Sequence, residues 1–211
     1  MAIPVMILGE SGTGKSASLR NFGPDDVGVI NVSGKPLPFR NQLKMLKSDS
    51  YPMIRKTLLG TKAPSIIIDD AQYLMANEFM RRADERGYDK FTEIAKNFWS
   101  LVQETVAQQM PDNQIVYFLM HTDMSDDGRV RAKTIGKMLN EKITLEGLFT
   151  IVLRTSVSDG VYSFRTVNSG SDTVKTPMGM FEAAEIDNDL KAVDTVIREY
   201  YGINHKEEKI A

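Results

Sequence analysis

Two residues into the chain an apolar run begins, and at residue 9 it passes into a loop dense in glycine. The run is "IPVMIL", residues 3 to 8, and the loop continues as "GESGTGKSASLRNF", residues 9 to 22. Gly9, Gly14, Lys15 and Ser16 complete the spacing G-x-x-x-x-G-K-S, the P-loop pattern, which needs a strand before it and a helix after it. The run before it reads as a buried parallel strand. Ala17 and Leu19 begin a helix that Gly23 and Pro24 stop. Glycines omit Cβ atoms, so successive N–H groups can curl around a phosphate. A helix starting near Lys15 would aim its positive end at the same anion. Gly9, Glu10, Ser11, Gly12, Thr13, Gly14, Lys15, Ser16 and Ala17 therefore form the expected cradle for ATP. Lys15 reaches the β- and γ-phosphates, and the Ser16 hydroxyl is expected to ligate Mg2+.

The bulk numbers narrow the surroundings of this loop. A chain of 211 residues fits one domain, residues 1–211, and can bury a sizeable core. Its formal charge of −2 gives no global basic field, so any nucleic-acid contact must come from a local patch. With no cysteine, disulfides, thiol catalysis and Cys-based zinc sites are excluded. Two histidines, His121 and His205, are too few for a His-built metal centre. There is neither a bilayer-length apolar run nor a basic, apolar signal peptide, so no membrane partner and a cytoplasmic location are expected.

Strand-like and helix-like segments alternate, which predicts an α/β fold with a mainly parallel central sheet flanked by helices. Strands are expected over 27–32 ("VGVINV"), in "APSIIIDDAQYL", and over 114–121 ("QIVYFLMH"). Residues 40 to 60 read as a weakly amphipathic helical stretch interrupted at Tyr51 and Pro52. Helices are expected over 72–84, 91–109 and 182–201. Residues 122 to 146 turn polar and lose periodicity. Residues 148–157 and 160–168 read as a C-terminal β-hairpin turning at Ser158, Asp159 and Gly160. Residues 203–211 form a charged tail expected to fray.

Several residues carry the expected chemistry. Asp69 directly ends the apolar run of "SIIIDD", which suits it to the metal shell beside Ser16. Asp70 either orients and deprotonates the attacking water or caps the helix near Gln72. His121 ends the next strand, where a γ-phosphate sensor or an ordinary polar strand end would lie. Beyond it, Arg129, Arg131, Lys133 and Lys137 make a basic stretch that either meets phosphates or is a solvated loop. Arg82, Arg86 and Lys90, interleaved with Tyr88, form a second candidate nucleic-acid contact, although Asp84, Glu85 and Asp89 offset much of its charge. Lys175, before Thr176 and Pro177, is a surface lysine or a charge-stabilising finger.

Taken together, "GESGTGKS", "IIIDDAQYLM", "FLMH", "KTIGKMLNEKITLEGLFTIVLRT" and "VKTPMGMF" resemble the RecA-like ATPase core of phage nucleotide-binding and single-strand annealing proteins. The resemblance spans residues 3 to about 181 and implies a RecA-like P-loop fold and a Mg2+-dependent ATPase. It implies that His121 couples nucleotide state to a DNA loop at 122–142, and that residues 82–91 form another such loop. It also implies that Lys175 reaches a neighbour's ATP, in a homo-oligomeric ring or filament on single-stranded DNA. A single-strand-binding or replication protein is a further expected partner. The chain departs from the family after the second strand, where recombinases carry a catalytic glutamate and this chain reads "NVSGKPLPF". The base role then falls to Asp70 or hydrolysis is slow, and annealing fits better than strand exchange. A helicase-loading ATPase and a small-molecule kinase are the alternatives.

Overall fold

The computed structural model describes residues 1–203; the expected tail from residue 204 onward, with His205, lies outside the described residues. Apolar runs of three to six residues build the centre of the fold. Strand β1 (Ile3–Gly9) pairs in parallel with β5 (Ile115–Met124) on one side and β7 (Ile151–Ser158) on the other. Beyond β5 lie β4 (Ser65–Asp69), β2 (Val27–Asn31) and the edge strand β3 (Lys44–Lys47), all parallel. Beyond β7 the sheet turns antiparallel through β8 (Val161–Arg165) and β9 (Glu185–Asp187), giving the order β3-β2-β4-β5-β1-β7-β8-β9. Strand β6 (Val130–Ala132) pairs with the far end of β5. The expected α/β fold with a mainly parallel sheet flanked by helices is thus observed.

Because strand side chains alternate, each central strand feeds two cores. Met6, Leu8, Ile66, Ile68, Val116 and Phe118 face helices α1 (Tyr51–Gly60), α2 (Gln72–Arg81) and α3 (Asp89–Ser100). Val5, Ile7, Ile67, Tyr117, Leu119 and Leu153 face Leu19 and helix α4 (Leu190–Tyr201). No helix among the described residues is long and apolar enough to cross a membrane.

Five local expectations are corrected. The glycine loop is followed by six residues of 3-10 helix, Ser16–Asn21, because Phe22 N already bonds back to the Leu19 carbonyl before Gly23 and Pro24. So short a helix brings little macrodipole, which leaves anion binding to the loop N–H groups and Lys15. Residues 40 to 60 hold a strand and a separate helix: Met45 packs on one core, Leu46 on the other, and Pro52 starts α1. Helix α3 continues as wider π-type turns over Leu101–Gln109, where the Arg55 guanidinium donates to the Asn97 and Ser100 carbonyls and the Thr105 hydroxyl. The polar segment after His121 is built: residues 122 to 124 extend β5 and pair with β6, and Glu146 accepts from Ala132 N at 2.6 Å. Finally, Glu185–Asp187 pairs with β8 as a strand, and Asp189 caps α4 through Lys191 N and Ala192 N. The hairpin is as expected, with Asp159 (φ 51°) and Gly160 (φ 78°) at its two-residue turn.

Candidate functional site

Parallel pairing brings the carboxyl ends of β1, β4 and β5 to one edge, where α/β sheets hold ligands. The register aligns Gly9 with His121 and Asn31 with Asp69. β5 lies between β1 and β4, so His121 stands between the glycine loop and the acidic strand end. Asp69, the last residue of β4, precedes Asp70, whose φ of 59° is left-handed. Aspartate tolerates this conformation better than most residues.

Two glycines of the loop, Gly9 and Gly14, answer to close contacts. A Cβ on Gly9 would lie 1.9 Å from Thr155 Oγ1, and one on Gly14 (φ 93°) 2.9 Å from Tyr162 Cδ1. The Thr13 hydroxyl bonds the Glu10 carbonyl at 2.8 Å and Thr155 Oγ1 at 2.6 Å, which pins the loop to β7. Lys15 folds back beneath its own loop, its Nζ donating to the Gly9 carbonyl at 2.8 Å and the Glu10 carbonyl at 2.7 Å. Burial pulls its pKa down to about 8, against the opposing charges of Asp70, Asp69 and Glu10.

Ser16 Oγ donates to Asp69 Oδ1 at 2.8 Å. Burial pushes Asp69 up to about 6; the Ser16 hydrogen bond opposes that rise and the adjacent Asp70 adds to it. Asp70 moves the other way. Burial alone would raise it, but hydrogen bonds from His121 and Ser33, with the charges of His121 and Lys15, together hold it below the usual carboxylate range. Its Oδ1 is 3.4 Å from His121 Nε2. Neighbouring carboxylates driven apart in this way are suited to different tasks.

Ser11, Gly12, Gly14, Lys15, Ser16 and Ala17 line a cleft of about 370 Å³ together with Lys35, Pro38, Asp70, His121 and Tyr162. A second cleft of about 370 Å³ adjoins it across Ser11 and His121, lined by Glu10, Gln72, Tyr73 and Lys133 among others. Gln72 Oε1 accepts from His121 N at 3.2 Å, while its buried Nε2 has no partner among the described residues. Lys35, Tyr162, Ser33, Thr155 and Asn188 receive no role from the sequence, in which Ser33 and Lys35 only stand where a carboxylate is missing. Only Lys35 and Ser33 had a signal, since they follow an apolar strand at the ligand edge. The others approach from 140 or more residues away, as Thr155 does on Thr13.

Ser16 and Asp69 supply two hard oxygen donors, which suits magnesium, an ion that keeps waters and substrate phosphates as its other ligands. Among the described residues no group of three or more His, Cys, Asp or Glu gathers as a protein-only metal cage.

The expected nucleic-acid residues divide into committed and free. Arg82 pairs with Glu85 (2.7 Å), Glu93 (2.6 Å) and Glu78 (3.2 Å), which raises its pKa, the Glu85 hydrogen bond leading. Lys90 is buried and its Nζ donates to the carbonyls of Arg82, Ala83 and Glu85, closing the loop after α2. Arg86 and Tyr88 are exposed. Arg129 pairs loosely with Asp127 (3.5 Å) and Lys137 with Glu141 (3.4 Å). Arg131, on β6, keeps a buried Nε without a partner among the described residues, and Lys133 lines the adjoining cleft. Lys175 bridges Val152 of β7 through its backbone, and its side chain is exposed and does not line the glycine-loop cleft. Loss of some of its solvation against neighbouring residues lowers its pKa, with Glu146 opposing.

No protein-family model matches the chain, and no curated protein matches it.

Proposed function

We propose that the chain is a Mg2+-dependent ATPase of the RecA-like P-loop type, whose ATP phosphates lie in the 9–17 loop. The observation that carries the reading is the Ser16–Asp69 contact at 2.8 Å beside the nested Lys15. A hydroxyl, a carboxylate and a cation converge there on a backbone that Gly12 and Gly14 leave open to an anion. Ser16 and Asp69 would hold magnesium, which when bound offsets charge on the β- and γ-phosphates. Lys15 exchanges its carbonyl partners for phosphate oxygens. Asp70, kept ionised and bonded to His121, orients the attacking water and accepts its proton.

Single-stranded DNA is the proposed regulatory ligand, with assembly into a homo-oligomer. Support comes from continuity: β5 runs from His121 directly into the ribbon that pairs with β6 and carries Arg129, Arg131 and Lys133. A second reading, a small-molecule kinase, is favoured by the cleft across His121, where an acceptor could meet Lys133 and the free Gln72 amide.

The test is ATP turnover and assembly size with and without single-stranded DNA, at two salt concentrations. DNA-stimulated turnover with salt-sensitive binding is the expected result. Turnover that ignores DNA but responds to a small hydroxyl or phosphate acceptor favours the kinase. Lys15→Ala is expected to cost about 3 kcal/mol of ATP affinity, as loss of a buried charge partner does. Unchanged ATP affinity in that variant sinks the nucleotide reading.

A further inference from the structure

Lys35 is a second cation at the same cleft, and it is held in position. It lies in the loop that leaves β2, four residues past Asn31, at the edge where β4 ends at Asp69. Asn31 is buried at 1 % exposure and fixes the loop with both ends of its amide. Its Nδ2 donates to the Lys35 carbonyl at 2.6 Å, and its Oδ1 accepts from Gly34 N at 2.7 Å. Gly34 takes a left-handed φ of 72°, and Pro36 confines Lys35 itself to extended backbone. Leu37, buried at 8 % exposure, anchors the far side of the loop in the core.

The side chain is directed as well. Lys35 Nζ stands 5.5 Å from the centroid of the Tyr73 ring, and the Tyr73 ring meets His121 edge-on. Among the described residues, no carboxylate forms an ion pair with Lys35. Lys15, in contrast, already spends its Nζ on two carbonyls of its own loop. The cleft therefore has one cation beneath the loop and another, exposed and without an ion-pair partner among the described residues, on the Tyr73–His121 side.

We infer that Lys35 is a catalytic residue acting within its own chain, contacting the γ-phosphate of ATP as the phosphoryl group transfers. This rests on the ATPase reading above. In the step, the oxygen of water bonds to the γ-phosphorus as the bond from that phosphorus to the β–γ bridging oxygen breaks. ADP departs with that electron pair, Asp70 takes the water proton and passes it to solvent, and inorganic phosphate remains. Negative charge grows on the transferring group and the bridging oxygen, and an ammonium carried at that end on an anchored loop stabilises it. Lys35 touches nothing that ADP alone would offer, so it distinguishes triphosphate from diphosphate.

The experiment compares the full chain with its Lys35→Ala and Lys35→Arg variants. It reads phosphate release from ATP, and dissociation constants for ATPγS and ADP, with circular dichroism as the check on folding. Lys35→Ala is expected to lower kcat about 100-fold. It should weaken ATPγS binding but leave ADP binding within twofold, and Lys35→Arg should recover most of the turnover. A Lys35→Ala kcat within twofold of the parent overturns the assignment, as does an equal loss of ATPγS and ADP affinity, which marks a structural lysine. If the parent protein itself binds neither nucleotide, the ATPase reading fails and this inference falls with it. If the parent hydrolyses ATP and Lys35→Ala does too, only the role of Lys35 is lost.

Discussion

Two buried polar clusters share strand β5, four residues apart, and they are built on opposite principles. At Tyr117, every strong group is answered. The Tyr117 hydroxyl donates to Asp194 Oδ1 at 2.8 Å, and Arg198 Nε to Asp194 Oδ2 at 2.7 Å. The remaining Arg198 nitrogens reach the Pro64 carbonyl, Ser65 Oγ and the Asn113 carbonyl. At His121, two carboxylates adjoin, one on left-handed backbone, and a lysine is held well below its ordinary pKa. The first cluster ties α4 to the sheet. The second keeps charge in a state that an incoming anion and cation would relieve. A buried charge with a full set of partners reads as adhesive; one left beside a like charge reads as a site.

The difference can be broken by substitution. The largest effect is expected at the satisfied cluster, where Asp194→Ala leaves the Arg198 guanidinium buried without its carboxylate. Urea denaturation should show a loss of about 3–5 kcal/mol, with ATP affinity retained under native conditions. A loss below about 1 kcal/mol would remove the contrast.

Asp69→Asn should act in the opposite sense. The folded pKa of Asp69, about 6, lies above its unfolded value of 3.8. The proton it holds therefore stabilises the fold fully below pH 3.8, and this contribution is lost as pH rises through 6. Relative to Asp69→Asn, the parent should lose about 2 kcal/mol of stability between pH 4 and pH 7. A flat difference across that range would mean that Asp69 is not strained by burial.

Gly9→Ala sharpens the geometry of the second cluster with a smaller effect. The added methyl meets Thr155 Oγ1 at 1.9 Å and should cost about 1–3 kcal/mol as overpacking does. Pairing it with Thr155→Ala should recover part of that loss, read as a non-additive double-mutant cycle. Strict additivity would mean that the loop does not rest on β7.

The sequence displays the site's backbone better than its walls. Apolar runs reveal β1, β4 and β5 because burial on both faces leaves no polar positions to blur them. Gly9, Lys15, Ser16 and Asp69 are legible because their spacing and their strand ends are local properties. Asp70 as a left-handed residue is not, since nothing in "IIIDDAQ" distinguishes it from an ordinary helix cap. Lys90 reads as a basic contact beside Tyr88, yet it closes the loop after α2 by donating to three carbonyls, a use of charge that composition hides. Short edge strands such as β3 and β9 leave too few residues for a period to emerge. Tyr162 and Asn188 against Gly14 are long-range contacts, and a single chain carries no trace of them.

The pinning of the glycine loop has a consequence for how the chain is made. β1 leaves the ribosome before both of its sheet neighbours, β5 and β7, which begin more than a hundred positions later. The walls that shape the loop, Thr155, Tyr162 and Asn188, come later still. At ordinary rates of translation this delay is on the order of ten seconds or more. During it the segment beginning "IPVMILGESGTGKS" is a nascent strand with nothing to pair with. This middle strand is thus made before either strand that flanks it, and it waits for its place until β7 is complete.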